Sequence, residues 1–305
     1  MTIATLTVLV VGATGSIGRL VVEDALRRGY VVRALVRTPD KARRIPAPAR
    51  AVVGDVTRPE TLRDAVEGVD AVVFTLGSQG SGKVGAEAVD YGGVRNVLAA
   101  LQSRRVHIAL MTAIGVTDRA GSYNRATEAH DWKRRSERLV RASGLPYTIV
   151  RPGWFDCNAA DQHRLDLLQG DRRHAGNPSD GVIARHQVAQ VLVASLGSAA
   201  ASRKTFELVA EHGPAADDFA ALFGALDADR EGALDGVRDL ENMPVQDEPK
   251  RVRDDLTAVR ARRPSDPDHQ TAPGAPPGHA RANADAATRD GSVDTQPEPE
   301  RNRHG

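Results

Sequence analysis

The sequence is short of the residues that would commit it to several classes of protein. It has one cysteine, Cys157, in 305 residues, which excludes an internal disulfide framework and a cysteine-rich zinc site. Aromatic residues make up only 4%, so a core has to be built mainly from Val, Leu, Ile and Ala. No run approaches the roughly 18 apolar residues that a membrane-spanning helix needs. The opening MTIATLTVLVVGATG has no basic leader and reads as a buried first strand, not a signal peptide. An excess of charge is missing too. The chain has 41 Lys+Arg against 40 Asp+Glu, a balance of +1, and so gives no general reason to expect a nucleic-acid or membrane partner. These absences lead us to expect a cytoplasmic protein that binds a small molecule and no metal, with a slight preference for a monomer.

What is present is an alternation of apolar runs and amphipathic stretches through residue 211. The runs lie at 6–11, 31–36, 51–53, 71–76, 105–111, 147–151 and 204–209, with helix-like segments near 17–28, 59–66, 86–102, 128–143, 159–169 and 185–196. Short apolar runs separated by helices imply parallel strands with right-handed crossovers. Runs without polar alternation imply a sheet covered on both faces. The expected fold is a doubly wound, Rossmann-like α/β sheet over residues 1–211. Residues 212–262 read as a small helical appendage, with helical spacing in 215–228 and 247–262. Residues 263–305 hold 7 of the 17 prolines and only one large aliphatic residue, Val293. We expect that tail to be disordered, because it cannot bury enough apolar surface to offset its ordering entropy.

The segment Gly12-Ala13-Thr14-Gly15-Ser16-Ile17-Gly18 follows the first strand and opens a helix. In that context its three glycines read as a dinucleotide loop. Gly12 serves the tight turn, Gly15 the approach of a pyrophosphate, and Gly18 close helix–sheet packing. The helix N-terminus would supply N–H donors to the phosphates, and Thr14 and Ser16 could add hydroxyls. The second strand ends in Arg37 rather than Asp or Glu, and Lys41 lies about one turn on. That pair favours NADP(H), because a guanidinium can bond a 2′-phosphate; the alternative is a solvated arginine. Asp40 reads as a residue of the helix N-cap type. Asp55 and Val56, after the third strand, suit an adenine ring, or else Asp55 caps the next helix. Thr75, Leu76 and Gly77 end the fourth strand, where a cofactor ribose would pass. Gly77–Lys83 also matches GxxxxGK. Val84 stands where a magnesium-binding hydroxyl would be needed, so this stretch reads as a flexible Gly/Ser loop near the cofactor and not as a triphosphate site, with Lys83 still able to touch substrate or phosphate.

The segments VVGATGSIGRLVVEDAL, VRALVR, VVGDVTRPETL, AVDYGGVRNVLAA, LMTAIGV and WKRRSERLVRASGLPYTIVRPGWF, with the late KTFELV, resemble the atypical short-chain dehydrogenase/reductases of the NAD(P)H-binding, NmrA-like group. The resemblance spans about residues 6–211. It implies a substrate cleft over the strand ends, a Ser or Thr after the fifth strand, and a Tyr-x-x-x-Lys helix. Thr112 and Ala113 follow the fifth strand, and Lys133 matches the lysine, but the tyrosine position holds Ala129. Lys133 is expected to hold the nicotinamide ribose, or otherwise to pair with Glu137 one turn on. His130 shares its helical face and is the candidate replacement proton donor; the alternative is a capping histidine. Tyr123 reads as a loop or wall residue. The resemblance places Pro152 and Gly153 beside the nicotinamide carboxamide, and Trp154 and Phe155 form an apolar wall or pack in the core. Cys157 reads as an inert thiol.

The expected function is an NADPH-dependent oxidoreductase reducing a small electron-poor acceptor, such as a quinone, activated alkene or carbonyl. Such acceptors need less proton donation in the hydride step, so they tolerate a missing tyrosine. The alternative is a non-catalytic NADP(H)-sensing regulator of the NmrA-like kind.

Overall fold

The computed structural model describes residues 5–78 and 80–264. In chain order, β1 is Thr7–Val11, α1 Ser16–Arg27, β2 Val31–Val36, α2 Pro39–Ala42, β3 Arg50–Val53, α3 Arg63–Val66 and β4 Ala71–Phe74. Then come α4 Gly82–Gly85, a π-helical turn Ala86–Tyr91 running into α5 Gly92–Leu101, β5 His107–Met111, α6 Ser122–Thr127, α7 Ala129–Ala142 and β6 Tyr147–Pro152. The rest is β7 Trp154–Phe155, β8 Arg164–Leu168, β9 Val182–Ile183, α8 Arg185–Leu196, β10 Lys204–Glu211, α9 Phe219–Gly224 and α10 Lys250–Arg260.

Eight strands form one sheet in the order β3-β2-β1-β4-β5-β6-β10-β8, while β7 and β9 pair separately. The strand order reverses between β1 and β4, and in such sheets ligands bind above that switch point. Side chains alternate between two cores. Leu9, Val11, Val72, Phe74, Ile108 and Leu110 pack with residues of α3, α5, α7 and α10. Val8, Val10, Val73, Ala109 and Phe206 pack with residues of α1 and α8. Both faces are therefore covered, which explains the apolar runs without alternation.

The helix expected near 159–169 is not formed. Residues Arg164–Leu168 instead pair antiparallel with β10 along the sheet edge, from Arg164 opposite Glu211 to Leu168 opposite Glu207. The segment alternates in the manner of a strand: Leu165 and Leu167 join a core while Arg164 and Asp166 face outward. An antiparallel strand here also covers the edge that β10 would otherwise expose.

Helices α9 and α10 lie within the two stretches read as helical in 212–262, but residues 225–249 between them contain no α-helix. That irregular segment carries acids onto α7. Arg134, Arg135, Arg138 and Arg141 are all buried. Arg134 and Arg138 meet Asp235 at 3.0 and 2.7 Å, Arg135 and Arg138 meet Glu248 at 2.7 and 3.0 Å, and Arg141 meets Asp229 at 3.1 Å. Buried charges are tolerated when paired in this way. Of the tail expected to be disordered, all but Arg263 and Pro264 lies outside the described residues. Arg263 Nε donates to the Ala142 carbonyl at 2.9 Å.

Candidate cofactor and catalytic site

The loop between β1 and α1 is shaped by two contacts that no side chain could share. Gly12 has φ +95°, and a Cβ there would lie 2.8 Å from the Thr75 carbonyl oxygen; a Cβ on Gly18 would lie 2.1 Å from the Gly12 carbonyl oxygen. The loop therefore folds tightly against β4, and α1 starts directly beneath it. Ile17 is buried in the core, so only its backbone is available to a ligand.

Above this loop lies a cleft of about 560 Å³. Its walls bring together Gly12, Thr14, Gly15, Arg37, Lys41, Asp55, Val56, Thr75, Leu76 and Gly77, all of which the sequence reading had singled out. Ser78 and Ser81, of the Gly/Ser loop expected near the cofactor, line it too, while Leu35, Arg44, Thr57 and Val89 were not anticipated. Arg37, Lys41 and Arg44, within eight residues of one another in sequence, all line it, and none of their side chains has a hydrogen bond or ion pair among the described residues. Asp40 is not a cap; it lies inside α2, whose N-cap is Thr38. Asp55 Oδ1 accepts from Thr57 N at 2.9 Å and Thr57 Oγ1 at 2.8 Å, closing its own turn. Lys83 points elsewhere, its Nζ 2.9 Å from Glu128.

Ser16, Ile17 and Gly18 follow the loop into α1 and are not in the lining, and the other residues singled out, Thr112, Ala113, His130, Lys133 and Pro152–Phe155, do not line this cleft either. Two contacts join them to it. The first runs through the π-helical turn: Val89 lines the cleft, and the next residue, Asp90, accepts from Lys133 Nζ at 3.0 Å. Lys133 therefore pairs with Asp90 and not with Glu137. Asp90 Oδ2 is buried without a partner. The second contact is Arg185, the first residue of α8, which sequence reasoning missed. Its Nε donates to Ser16 Oγ at 3.1 Å, its guanidinium lies 5.0 Å from the centre of the Phe155 ring, and its backbone N–H donates to Asp156 Oδ1 at 3.0 Å. The same guanidinium pairs with Asp156, and these bonds hold that carboxyl below its ordinary value. The only advance signal was an arginine at a helix start, which does not specify a neighbour 169 residues away.

Thr112 is buried, and its hydroxyl donates to Glu137 Oε1 at 2.7 Å. Glu137 in turn bonds Arg151 Nη2 at 2.7 Å and lies 3.4 Å from Arg141. The Thr112 proton is thus committed, while its oxygen can still accept. Ala129 is buried at the start of α7. The His130 ring lies 5.1 Å from that of Tyr123, which is exposed on α6 and not in a loop. Burial lowers the His130 pKa and so favours the neutral imidazole, and its buried Nδ1 has no partner among the described residues. A Cβ on Gly153 would lie 2.5 Å from the Gly181 carbonyl oxygen, where β7 and β9 close together; Trp154 is exposed. Cys157 is exposed. Among the described residues no group of His, Cys, Asp and Glu is placed to hold a metal ion, and no helix is long and apolar enough to cross a membrane.

The residues present fit a dinucleotide. A glycine cradle under a helix N-terminus offers N–H donors to a pyrophosphate, and cations whose side chains have no partner among the described residues line the cleft. Comparisons with known proteins agree. Residues 12–199 match the family model described as NAD(P)H-binding. The chain is 31% identical to an uncharacterised chloroplastic protein of Arabidopsis thaliana over 244 residues, covering 72% of this chain and 74% of the relative. It is 29% identical to sanguinarine reductase of Eschscholzia californica over 261 residues, covering 72% and 95%. A Bacillus halodurans structure named for the NAD-dependent epimerase/dehydratase class superposes with a TM-score of 0.60 at 23% identity, covering 72% of this chain and all of that one. The chain belongs to the NAD(P)H-binding family.

Proposed function

We propose that this chain is an NADPH-dependent reductase of a small electron-poor acceptor, of the quinone, activated-alkene or carbonyl kind. The observation that carries the cofactor preference is the group Arg37, Lys41 and Arg44, three cations that line the cleft and whose side chains have no partner among the described residues. There they would hold a 2′-phosphate by charge-assisted hydrogen bonds. A bound NADPH would supply the hydride.

The chain's own residues divide the remaining work. The backbone of Gly12–Gly18, the Thr14 and Ser16 hydroxyls and Arg185 hold the pyrophosphate. Asp55 and Val56 face the adenine, and Thr75, Leu76 and Gly77 the adjacent ribose. Lys133, kept upright by Asp90, bonds the second ribose. Thr112 accepts a hydrogen bond while Glu137 fixes its rotamer, and Ala113, Pro152 and Gly153 border the nicotinamide. Trp154 and Phe155 exclude water from one side. His130 lends a neutral N–H to the acceptor as a hydrogen-bond donor and the proton itself comes from water, which suits acceptors that need little help from an acid. The relationship to sanguinarine reductase supports a reductase reading for this chain.

A second reading is a non-catalytic NADP(H)-sensing protein. It is favoured by Ala129, which removes the usual acid, and by the commitment of both Thr112 and Lys133 to buried carboxylates. Incubating the purified chain with NADPH and a panel of quinones, enones and carbonyls separates the two. Acceptor-dependent consumption of NADPH supports the reductase. Tight binding without consumption across the panel supports the sensor.

A further inference from the structure

A second pocket, of about 420 Å³, lies between β8, β10 and the irregular segment after α9. It shares no wall residue with the dinucleotide cleft. Its volume falls in the range of small-molecule pockets, roughly 300–1,000 Å³. The floor is apolar, formed by Ile114, Leu168 and Leu226 with their neighbours, and the rim carries Arg172, Arg173 and Arg238.

Two features make this a constructed site and not just a basic surface. First, its walls are pinned. Gln169 Nε2 donates to the carbonyls of Thr205 and Asp227 at 3.1 and 3.0 Å, and Gln169 Oε1 accepts from Asp227 N at 3.1 Å. Second, the positive charge is not cancelled from within. The one acid in the wall, Glu207, is buried and already bonded through both oxygens, to Arg151 Nη1 at 3.3 Å and Asp171 N at 3.0 Å. Arg172 has no hydrogen bond or ion pair among the described residues. Arg238 is tied only to Asp227, through an exposed pair that solvent weakens. Arg173 Nη1 donates to the Asp180 carbonyl at 3.3 Å, so the groups open to an anion are Arg172 and the solvent-weakened Arg238; above an apolar floor they are chemistry for an amphipathic anion, because a carboxylate can take N–H donors while its apolar body leaves water.

We propose that this pocket binds an organic acid of about the size of a fused two-ring aromatic, with its carboxylate on Arg172 and Arg238 and its body on Ile114, Leu168 and Leu226. Ile114 lies two residues beyond Thr112, so an occupant would touch the loop that leaves the candidate catalytic strand.

The test is calorimetric titration of the full chain, without dinucleotide, using 1-naphthoate, its neutral amide and inorganic phosphate as probes. Working without dinucleotide keeps the result independent of the reductase reading. One naphthoate should bind per chain, with the amide and phosphate each about tenfold weaker or worse, as expected for loss of a charged hydrogen bond or of the apolar body. Arg172→Ala and Arg238→Ala, both at exposed positions, should each weaken naphthoate about tenfold and leave the melting temperature and NADPH affinity unchanged. The proposal is overturned if naphthoate does not bind, if the amide or phosphate binds as well as the acid, or if both variants bind naphthoate like the wild type.

Discussion

The Arg185 guanidinium donates to the Ser16 hydroxyl at 3.1 Å, so the first residues of α8 and α1 meet at the glycine loop. Both helix N-termini carry partial positive charge, and Asp156 is the anion that now balances Arg185. A pyrophosphate arriving at the loop would compete for that guanidinium. Arg185→Ala should weaken NADPH and NADH to a similar degree, by about ten- to a hundredfold, the value of one charge-assisted hydrogen bond of roughly 1.5–3 kcal/mol. Asp156→Asn should tighten both. Titration of cofactor fluorescence reads these affinities, and unchanged binding in Arg185→Ala would remove the residue from the site.

Arg37 makes the opposite, selective prediction. Arg37→Ala should weaken NADPH by about ten- to a hundredfold and leave NADH nearly unchanged. Equal losses for the two dinucleotides would refute the 2′-phosphate assignment.

For assistance to the acceptor the residue to change is His130. Burial favours its neutral imidazole, so His130→Ala removes a hydrogen-bond donor and not a charge. If the His130 N–H assists the acceptor, kcat should fall by up to about tenfold, the worth of one neutral hydrogen bond, while NADPH affinity stays constant. An unchanged kcat would remove His130 from the reaction.

Glu248 lies far along the chain from the glycine loop, yet it is buried against Arg135 and Arg138. Glu248→Ala should cost about 3–5 kcal/mol, because it strands buried guanidinium groups. Urea denaturation measures that loss. A loss below about 1 kcal/mol, the usual worth of an exposed pair, would mean that residues 225–249 are dispensable to the folded state.

Glu207 predicts a pH dependence of stability. Burial pushes its carboxyl from 4.5 up to about 7, against the pull of Arg151. The native state therefore keeps the proton that the unfolded chain releases near 4.5. Stability should fall as pH rises from about 4.5 to about 7, by up to roughly 3 kcal/mol from this group at about 1.4 kcal/mol per pH unit. Glu207→Gln cannot ionise and should lose that part of the slope. Wild type and variant with parallel pH profiles across this window would contradict the assignment.

Legibility in the sequence followed the range of the interaction. The glycine loop was readable because its strand, turn and helix are consecutive, and the walls of the cleft followed from it. Lys133 was visible as a candidate, but its partner was not: Glu137, one turn away, was the local choice, while Asp90 is brought up by the π-helical turn 43 residues earlier. Glu137 was already taken by Thr112, Arg141 and Arg151. The burial of the four arginines of α7 had no signal in the sequence, because acids that pair with them lie beyond residue 226, in a stretch without helical or strand periodicity. The edge strand β8 was misread because three leucines in five residues, at 165, 167 and 168, fit either period when short.

The central claim is hydride transfer from a bound NADPH to an acceptor. Its most direct test is to incubate the full chain with NADPH deuterated at the transferable position of the nicotinamide and with a quinone or enone acceptor. Mass analysis of the product then locates the label. An enone is the stricter acceptor, because its product keeps the transferred hydrogen on carbon. The account predicts one deuterium in the reduced product, formed catalytically and lost in Arg185→Ala at limiting cofactor. An enzyme that binds NADPH tightly yet yields no labelled product with any acceptor of the panel would contradict it and leave the sensor reading in its place.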